Sequence, residues 1–203
     1  LQGLVNNAGI AVAGPLEFLP LDNIRRQFEI NFFGQIAVTQ ACLPLLRRGQ
    51  GRIANMSSVG GRIAGPFLGP YSASKFALEA YTDSLRRELH PWGIHVASIQ
   101  PGAIATPIWQ KSYKMNVDEL GYLDEEGREM YAEAMAAVHR RSRRSEARGL
   151  PAQVVAQAVF HALNARRPRT RYAMGPRTRL VIWLARFVPD RLLDWVVQRE
   201  FSR

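Results

Sequence analysis

The spacing of apolar positions along the chain changes between two periods, which predicts a mixed α/β domain. Four short apolar runs have the length of buried strands; they are 3–6, 51–58, 94–99 and 171–174. Between them, apolar residues recur every three or four positions over 22–47 and 71–89, as on one face of an amphipathic helix. Further helices are predicted near 127–142 and 152–164.

Two prolines mark the predicted ends of the long helices. Pro44 has no backbone N–H and is expected to kink or end the last turns of the helix over 22–47. Pro91 disfavours helical geometry at His90, so it is expected to end the helix over 71–89.

Strands that alternate with long helices predict a doubly wound parallel sheet of the Rossmann-like α/β class, covered by helices on both faces. The whole chain, 1–203, is predicted to form a single domain. Such sheets bind ligands at the carboxyl ends of their strands. Here those ends are 6–9, 57–58 and 101–102, where polar residues and glycines are concentrated, so a site is expected at this edge.

The composition fits one globular domain and excludes several classes of protein. Of the 203 residues, 47% are hydrophobic and 22% charged, which is unlike a disordered chain. Cys42 is the single cysteine and cannot form an intramolecular disulfide, and no apolar run reaches membrane-spanning length. A cytoplasmic protein is therefore predicted. The histidines show no metal-binding spacing, so no metal site is predicted.

The net charge of +10 raises the question of polyanionic partners. The basic run 139–144 lacks zinc-ligand spacing and a neighbouring aromatic-rich sheet, so it is interpreted as a solvated face and not as a nucleic-acid site. The extension 176–203 is basic and amphipathic, with Trp183 and Phe187 among its arginines. It could lie on an anionic membrane. It could also pack on the sheet or on a second subunit, which is the commoner arrangement for such a stripe.

Candidate chemistry is concentrated in residues expected to meet at the carboxyl edge of the sheet. Tyr71 and Lys75 are four positions apart on a predicted helix, so both side chains leave the same face. That pair alone is common. Ser58 ends a strand thirteen residues earlier, Asn31 lies in the preceding helix, and the turn 6–9 follows the first strand. The joint occurrence of these signals in one order is specific.

In order and spacing the chain resembles the short-chain dehydrogenase/reductase family, most strongly over 4–109. The matching segments are Asn6-Asn7-Ala8-Gly9, Ile30-Asn31-Phe32-Phe33-Gly34, Ser58, Tyr71-Ser72-Ala73-Ser74-Lys75 and Pro101-Gly102-Ala103-Ile104-Ala105-Thr106. Within the family the likeness is closest to hydroxysteroid and retinol dehydrogenases.

The resemblance implies a nicotinamide cofactor, NAD or NADP, and a role for each matching residue. Tyr71 would be the general acid or base at the alcohol oxygen, and Ser58 would hold that oxygen. Lys75 would bind the nicotinamide ribose and acidify Tyr71, while Asn31 would anchor a proton-relay water. The implied cofactor contacts are Asn7, Ala8, Gly9, Tyr71, Lys75, Pro101, Gly102, Ile104 and Thr106.

The charge of Lys75 is large enough to affect Tyr71. A tyrosine titrates near 10, and lowering its pKa to about 7 for base catalysis corresponds to about 4 kcal/mol. One ammonium group about 4 Å away supplies about 4 kcal/mol at an effective dielectric of about 20. A lowered pKa of Tyr71 is therefore predicted.

The sequence departs from the family in one respect. The glycine-rich dinucleotide turn and the residue that discriminates NAD from NADP are absent from it. The resemblance therefore implies a chain lacking the first βαβαβ segment, with an exposed edge on the strand before Asn6. We expect such a chain alone to bind the cofactor poorly and to be inactive. A non-catalytic scaffold is the alternative, which the retention of Ser58, Tyr71 and Lys75 disfavours.

The implied substrate is a small-molecule alcohol or ketone. The segment 107–131 is the predicted substrate loop, together with residues near 65–70. Its apolar residues include Trp109, Tyr113, Met115, Leu120 and Tyr122. This composition indicates a lipophilic substrate. The resemblance also implies a homo-oligomer that pairs through helices 22–47 and 71–89.

Overall fold

The sheet contains four parallel strands in the part of the chain that the structure describes. The structure is a computed structural model, and it describes residues 1–106, 108 and 120–201. Strands β1 to β4 are Gly3–Asn6, Arg52–Met56, His95–Gln100 and Arg171–Ala173. Their order in the sheet follows the sequence, and each neighbouring pair is parallel. The four predicted strands are confirmed.

Helices lie between and after these strands, which confirms the doubly wound α/β class. In the described ranges they are α1 (Leu21–Phe28), α2 (Gly34–Arg48), α3 (Gly69–Leu89), α4 (Glu125–Ala147), α5 (Ala152–Asn164), α6 (Pro176–Phe187) and α7 (Asp190–Phe201). α4 begins earlier than predicted because the Asp124 carboxylate accepts a hydrogen bond from the Gly127 N–H and caps the helix.

Apolar side chains cover both faces of the sheet. On one face, Leu46 of α2 and Leu85 of α3 belong to the same buried cluster as Ile53 of β2. On the other face, Ala162 of α5 belongs to a cluster with Ala54 of β2. Adjacent residues of a strand point to opposite faces, so a strand covered on both sides is apolar throughout. This is why apolar residues occupy consecutive positions in β2, at Ile53-Ala54, and in β3, at Val96-Ala97.

α2 continues through Pro44 to Arg48, so the helix does not end at this proline, which is one of the two outcomes predicted for it. An interior proline costs about 3 kcal/mol because it removes one helical hydrogen bond and crowds the preceding turn. Packing offsets that cost. Leu46 is fully buried and Leu43 packs against the same cluster, and burying one leucine contributes about 1.5–3 kcal/mol.

A chain of buried side-chain hydrogen bonds joins β1 and β2 to the helices beside them. The Asn6 amide donates to Thr39 Oγ1 of α2 and to Asn55 Oδ1 of β2, both at 2.8 Å. Asn55 Nδ2 in turn donates to Thr82 Oγ1 of α3 at 2.9 Å. All four side chains are at most 5% exposed. Each bond therefore replaces a contact with water that burial removes.

We expect Asn55→Ala to lower the free energy of unfolding by about 2–4 kcal/mol. The reason is that Asn6 and Thr82 stay buried while each loses its hydrogen bond with the Asn55 side chain. Asn164→Ala is the matched control, since Asn164 is exposed and donates to the Phe160 carbonyl in its own helix. It should change the stability by less than about 0.5 kcal/mol. Urea unfolding followed by circular dichroism measures both variants, and equal effects would contradict the role of the buried chain.

Candidate active site

The carboxyl ends of β1, β2 and β3 lie at one edge of the sheet, as their parallel order requires. Residues 7–9 follow β1 and are exposed. Ser58 lies just after β2, and Pro101 follows β3 directly. The Val59 N–H donates to the Pro101 carbonyl at 2.8 Å, which joins these last two segments.

Ser58, Tyr71 and Lys75 converge at this edge. Tyr71 and Lys75 lie in the first two turns of α3, and Lys75 Nζ is 5.9 Å from the centroid of the Tyr71 ring. The Ser58 side chain hydrogen-bonds the Tyr71 hydroxyl. The Lys75 ammonium donates to the Met56 carbonyl at 2.8 Å. The three groups predicted to share a pocket are therefore brought together.

The loop after β2 approaches α3 closely because it contains two adjacent glycines. A Cβ on Gly60 would lie 3.0 Å from Tyr71 Cε1, and a Cβ on Gly61 would lie 2.9 Å from the Lys75 carbonyl oxygen. The Gly60 N–H also donates to Ser58 Oγ at 3.0 Å. Side chains at these positions would push the serine away from the tyrosine, so this loop sets their distance.

Burial determines the protonation of Tyr71 and Lys75. It raises the pKa of Tyr71, and the hydrogen bond from Ser58 opposes the rise without cancelling it. Burial also lowers the pKa of Lys75 to about 8, because removal of water destabilises the charged ammonium form relative to the neutral amine. The predicted lowering of the Tyr71 pKa is not found in this structure, in which loss of hydration is the larger effect.

Asn31 lies in a π-helical turn, Glu29–Phe33, that joins α1 to α2. Its side chain is fully buried. Oδ1 accepts a hydrogen bond from the Ile10 N–H at 2.8 Å, and Nδ2 donates to the Ile10 carbonyl at 3.0 Å and to Ser74 Oγ at 3.2 Å. The helix predicted over 22–47 is thus interrupted by a π turn, a feature frequent at functional sites. Asn31 links the loop after β1 to α3.

Two glutamines that sequence reasoning missed hold the same loop. Gln27 makes two hydrogen bonds, of 2.6 and 2.8 Å, to the backbone of the loop 8–12, and Gln35 Nε2 donates to the Ala8 carbonyl at 2.9 Å. With Asn31 they form a buried amide ladder (Gln27, Asn31, Gln35) along one side of the helix. Amides four positions apart share a helix face, so this spacing was a readable signal.

A cofactor-facing role was also predicted for the segment after β3. Ile104 is buried and pairs with Leu150 in a parallel bridge, and the Thr106 N–H donates to the Ile104 carbonyl at 2.9 Å. A Cβ on Gly102 would lie 2.2 Å from Thr178 Oγ1 of α6. Packing of α6 is therefore one reason for a glycine at this position.

Residues 1–106, 108 and 120–201 contain no group of three or more histidine, cysteine or acidic side chains arranged to hold a metal ion. No helix within the same ranges is both long and apolar enough to cross a bilayer.

The parallel sheet with serine, tyrosine and lysine at its carboxyl edge is the architecture of a Rossmann-like oxidoreductase. The family model described as short chain dehydrogenase matches residues 1–117, and the chain belongs to this family. The resemblance inferred from the motifs is thereby confirmed.

Two curated relatives and one solved structure show how far the likeness extends. An NADPH-dependent 3-dehydrocapnine reductase from Ornithobacterium rhinotracheale is 36% identical over 100% of the chain and 71% of its own length. Retinol dehydrogenase 5 from Mus musculus is 39% identical over 98% and 65%. A short-chain dehydrogenase/reductase from Burkholderia phymatum in complex with NAD has a TM-score of 0.72 at 25% identity, over 91% and 64%. The chain spans about two thirds of the length of each.

We expect the free energy of unfolding to rise between about pH 8 and pH 10 because of Lys75. The ordinary pKa of a lysine is 10.5, so over this window the unfolded chain binds a proton that the folded chain has lost. The contribution is about 1.5 kcal/mol between about pH 8 and 9.5. Above pH 10 the raised pKa of Tyr71 acts in the opposite direction.

Lys75→Met keeps the length of the side chain and should abolish this rise. Urea unfolding of both proteins at the two pH values measures the difference. Parallel pH dependences of the wild type and the variant would contradict the low pKa of Lys75.

Proposed function

We propose that the full-length protein is an NAD(P)-dependent oxidoreductase that interconverts a primary or secondary alcohol and its carbonyl compound. The observation that carries this proposal is the contact between Ser58 and the Tyr71 hydroxyl beside the buried Lys75. Two adjacent hydroxyl groups can hold one substrate oxygen and exchange a proton with it. A scaffold would have no use for a buried ammonium group, which costs stability.

The residues at the sheet edge fit a nicotinamide cofactor, which when bound supplies or accepts the hydride. Residues 7–9 are exposed, and Gly9 has no side chain to cover the site: its Cβ would lie 3.7 Å from Lys75 Nζ. Backbone can therefore approach the cofactor here. The proposed contacts are Asn7, Ala8, Gly9, Tyr71, Lys75, Pro101, Gly102, Ile104 and Thr106. The proposal covers NAD and NADP, since one relative is named for NADPH and a neighbouring structure contains NAD.

Tyr71 is the proposed general acid and base. In the reductive direction its O–H bond breaks and the proton passes to the carbonyl oxygen held by Ser58, while the carbonyl carbon gains the hydride. The raised pKa keeps Tyr71 protonated at neutral pH, as reduction requires. The oxidative direction needs the phenolate, which the Lys75 ammonium favours only while it keeps its proton, below about pH 8.

Asn31 is proposed to position the loop after β1 and to anchor a relay water. Both hydrogens of its amide are already donated, to the Ile10 carbonyl and to Ser74. Oδ1 accepts a hydrogen bond from Ile10 N–H and keeps a second lone pair. A water at Asn31 would therefore act as a donor to this oxygen.

A lipophilic substrate is proposed on the basis of aromatic residues that pack together around the segment preceding α3. The Tyr131 ring makes edge contacts with Phe18 and Phe67, each with centroids 6.0 Å apart. Phe67 has a φ of 64°, a conformation rare for a bulky residue, which commonly marks a functional segment. Of the predicted substrate loop 107–131, Trp109, Tyr113 and Met115 lie outside the described residues. One relative is named a retinol dehydrogenase, which accords with a lipophilic alcohol.

We expect Tyr71→Phe in the full-length protein to lower kcat by about 10²–10⁴-fold, because the phenol that exchanges the proton is removed. Retinal and a 3-ketosteroid, each with NADH and NADPH, are the probes. Cofactor affinity, measured by fluorescence titration, should stay within about twofold, since the ring remains. Tyr81→Phe, on the same helix, is the control and should leave the rate unchanged. A Tyr71→Phe rate near that of the wild type would refute the proposal.

A homo-oligomer is proposed through the two predicted helices, 22–47 and 71–89. Large apolar side chains in these stretches are exposed; they are Phe33, Val38, Leu45 and Phe76, with exposures of 50%, 48%, 51% and 44%. Apolar residues exposed on neighbouring elements are typical of an interface.

We expect Phe33→Asp combined with Phe76→Asp to convert an oligomer of the full-length protein into monomers, because carboxylates cannot be buried unpaired at such a contact. Sedimentation velocity measures the change. Phe160→Asp, at an exposed residue of α5, is the control and should leave the oligomer intact. A double variant that sediments like the wild type would exclude this interface.

A further inference from the structure

The outer side of α6 carries an apolar stripe that the rest of the described chain does not cover. Leu180, Trp183 and Phe187 are 55%, 59% and 64% exposed, and they recur at the spacing of one helix face. The opposite side of α6 packs inward, where Thr178 is buried against Gly102. The sequence favours packing of this stripe on the sheet or on a second subunit. The exposed side chains show that the aromatic stripe of α6 does not pack on the sheet.

α7 repeats the pattern. Leu192, Trp195 and Val196 are 52%, 54% and 43% exposed and share one face of the helix. The break between α6 and α7 lies at Val188, which is extended and precedes Pro189. We use the name C-terminal aromatic face for the two stripes together, which consist of Leu180, Trp183 and Phe187 on α6 and Leu192, Trp195 and Val196 on α7.

Arginines lie beside two of the aromatic rings of this face. The range 176–201 contains five arginines and three acidic residues, Asp190, Asp194 and Glu200, within a chain of net charge +10. The Arg186 guanidinium lies 5.8 Å from the Phe187 ring centroid, and that of Arg199 lies 5.2 Å from the Trp195 ring. Positive charge and exposed aromatic rings are thus interleaved, which is the pattern of helices that lie in the boundary of an anionic bilayer.

We propose that the C-terminal aromatic face binds the surface of an anionic phospholipid bilayer. Trp183, Phe187 and Trp195 insert at the level of the headgroups, where aromatic rings are favoured, and the neighbouring arginines contact lipid phosphates. Each helix has twelve residues and is about 18 Å long, too short to cross the hydrocarbon core. The contact is therefore peripheral.

Charge complementarity favours lipid over a second copy of the chain. A symmetric contact places the same patch of two subunits together. Because arginines outnumber acidic residues over 176–201, a net positive charge would then face a net positive charge. This opposes association of two copies, whereas anionic lipid attracts a positive surface.

The test is co-sedimentation of the full-length protein with phosphatidylcholine vesicles that contain or lack phosphatidylserine. We expect binding to the anionic vesicles, at least about tenfold weaker for Trp183→Ser combined with Phe187→Ser. Phe160→Ser is the matched control: Phe160 is 68% exposed on α5, outside the face, and its loss should leave binding within about twofold. Circular dichroism confirms that each variant is folded.

A second variant separates the electrostatic from the apolar contribution. Arg179→Glu combined with Arg186→Glu keeps the aromatic rings and should reduce binding to anionic vesicles by at least about tenfold, as should high salt. Absence of wild-type binding would overturn the proposal, as would binding that the Trp183 and Phe187 substitutions leave unchanged. Wild-type dimers that these substitutions split, without vesicle binding, would assign the face to a second copy.

Discussion

The contact of the buried Lys75 ammonium with the Met56 carbonyl is the constraint on which the site depends. A charged group that is 4% exposed is tolerated only where a fixed acceptor meets it. The bond ties the start of α3 to the end of β2, and Tyr71, one turn earlier on the helix, is thereby held beside Ser58. The pKa of Lys75 is lowered because burial destabilises its charged form even with this hydrogen bond present.

The opposite side of the site is held by neutral groups. The amide ladder of Gln27, Asn31 and Gln35 makes five hydrogen bonds to the loop 8–12, so that loop cannot shift without exposing buried amides. The Lys75–Met56 hydrogen bond fixes one side of the site and the amide ladder fixes the other, and the exposed Gly9 lies between them. Such preorganisation is what proton transfer to a bound substrate requires.

Family membership limits the chemistry but not the substrate, because short-chain dehydrogenases share a sheet and a proton-transfer site while their surrounding segments differ. In this chain the match to the family model ends at residue 117, shortly after β3. α6 lies between the segment after β3 and the protein surface. On its inner side Thr178 packs against Gly102, and on its outer side it carries Leu180, Trp183 and Phe187 of the C-terminal aromatic face. A lipophilic substrate and a peripheral membrane contact are separate proposals that would act on neighbouring parts of the molecule.

The sequence alone determined the strands, the long helices and the grouping of Ser58, Tyr71 and Lys75, because periodicity and motif spacing are local properties of the chain. The tertiary structure decided whether α2 survives Pro44, in which direction the Tyr71 pKa shifts and which way Trp183 points. These depend on burial and on partners distant in sequence. How much hydration the Tyr71 phenol loses, and how much packing Leu46 gains, depends on which other segments of the chain cover these side chains.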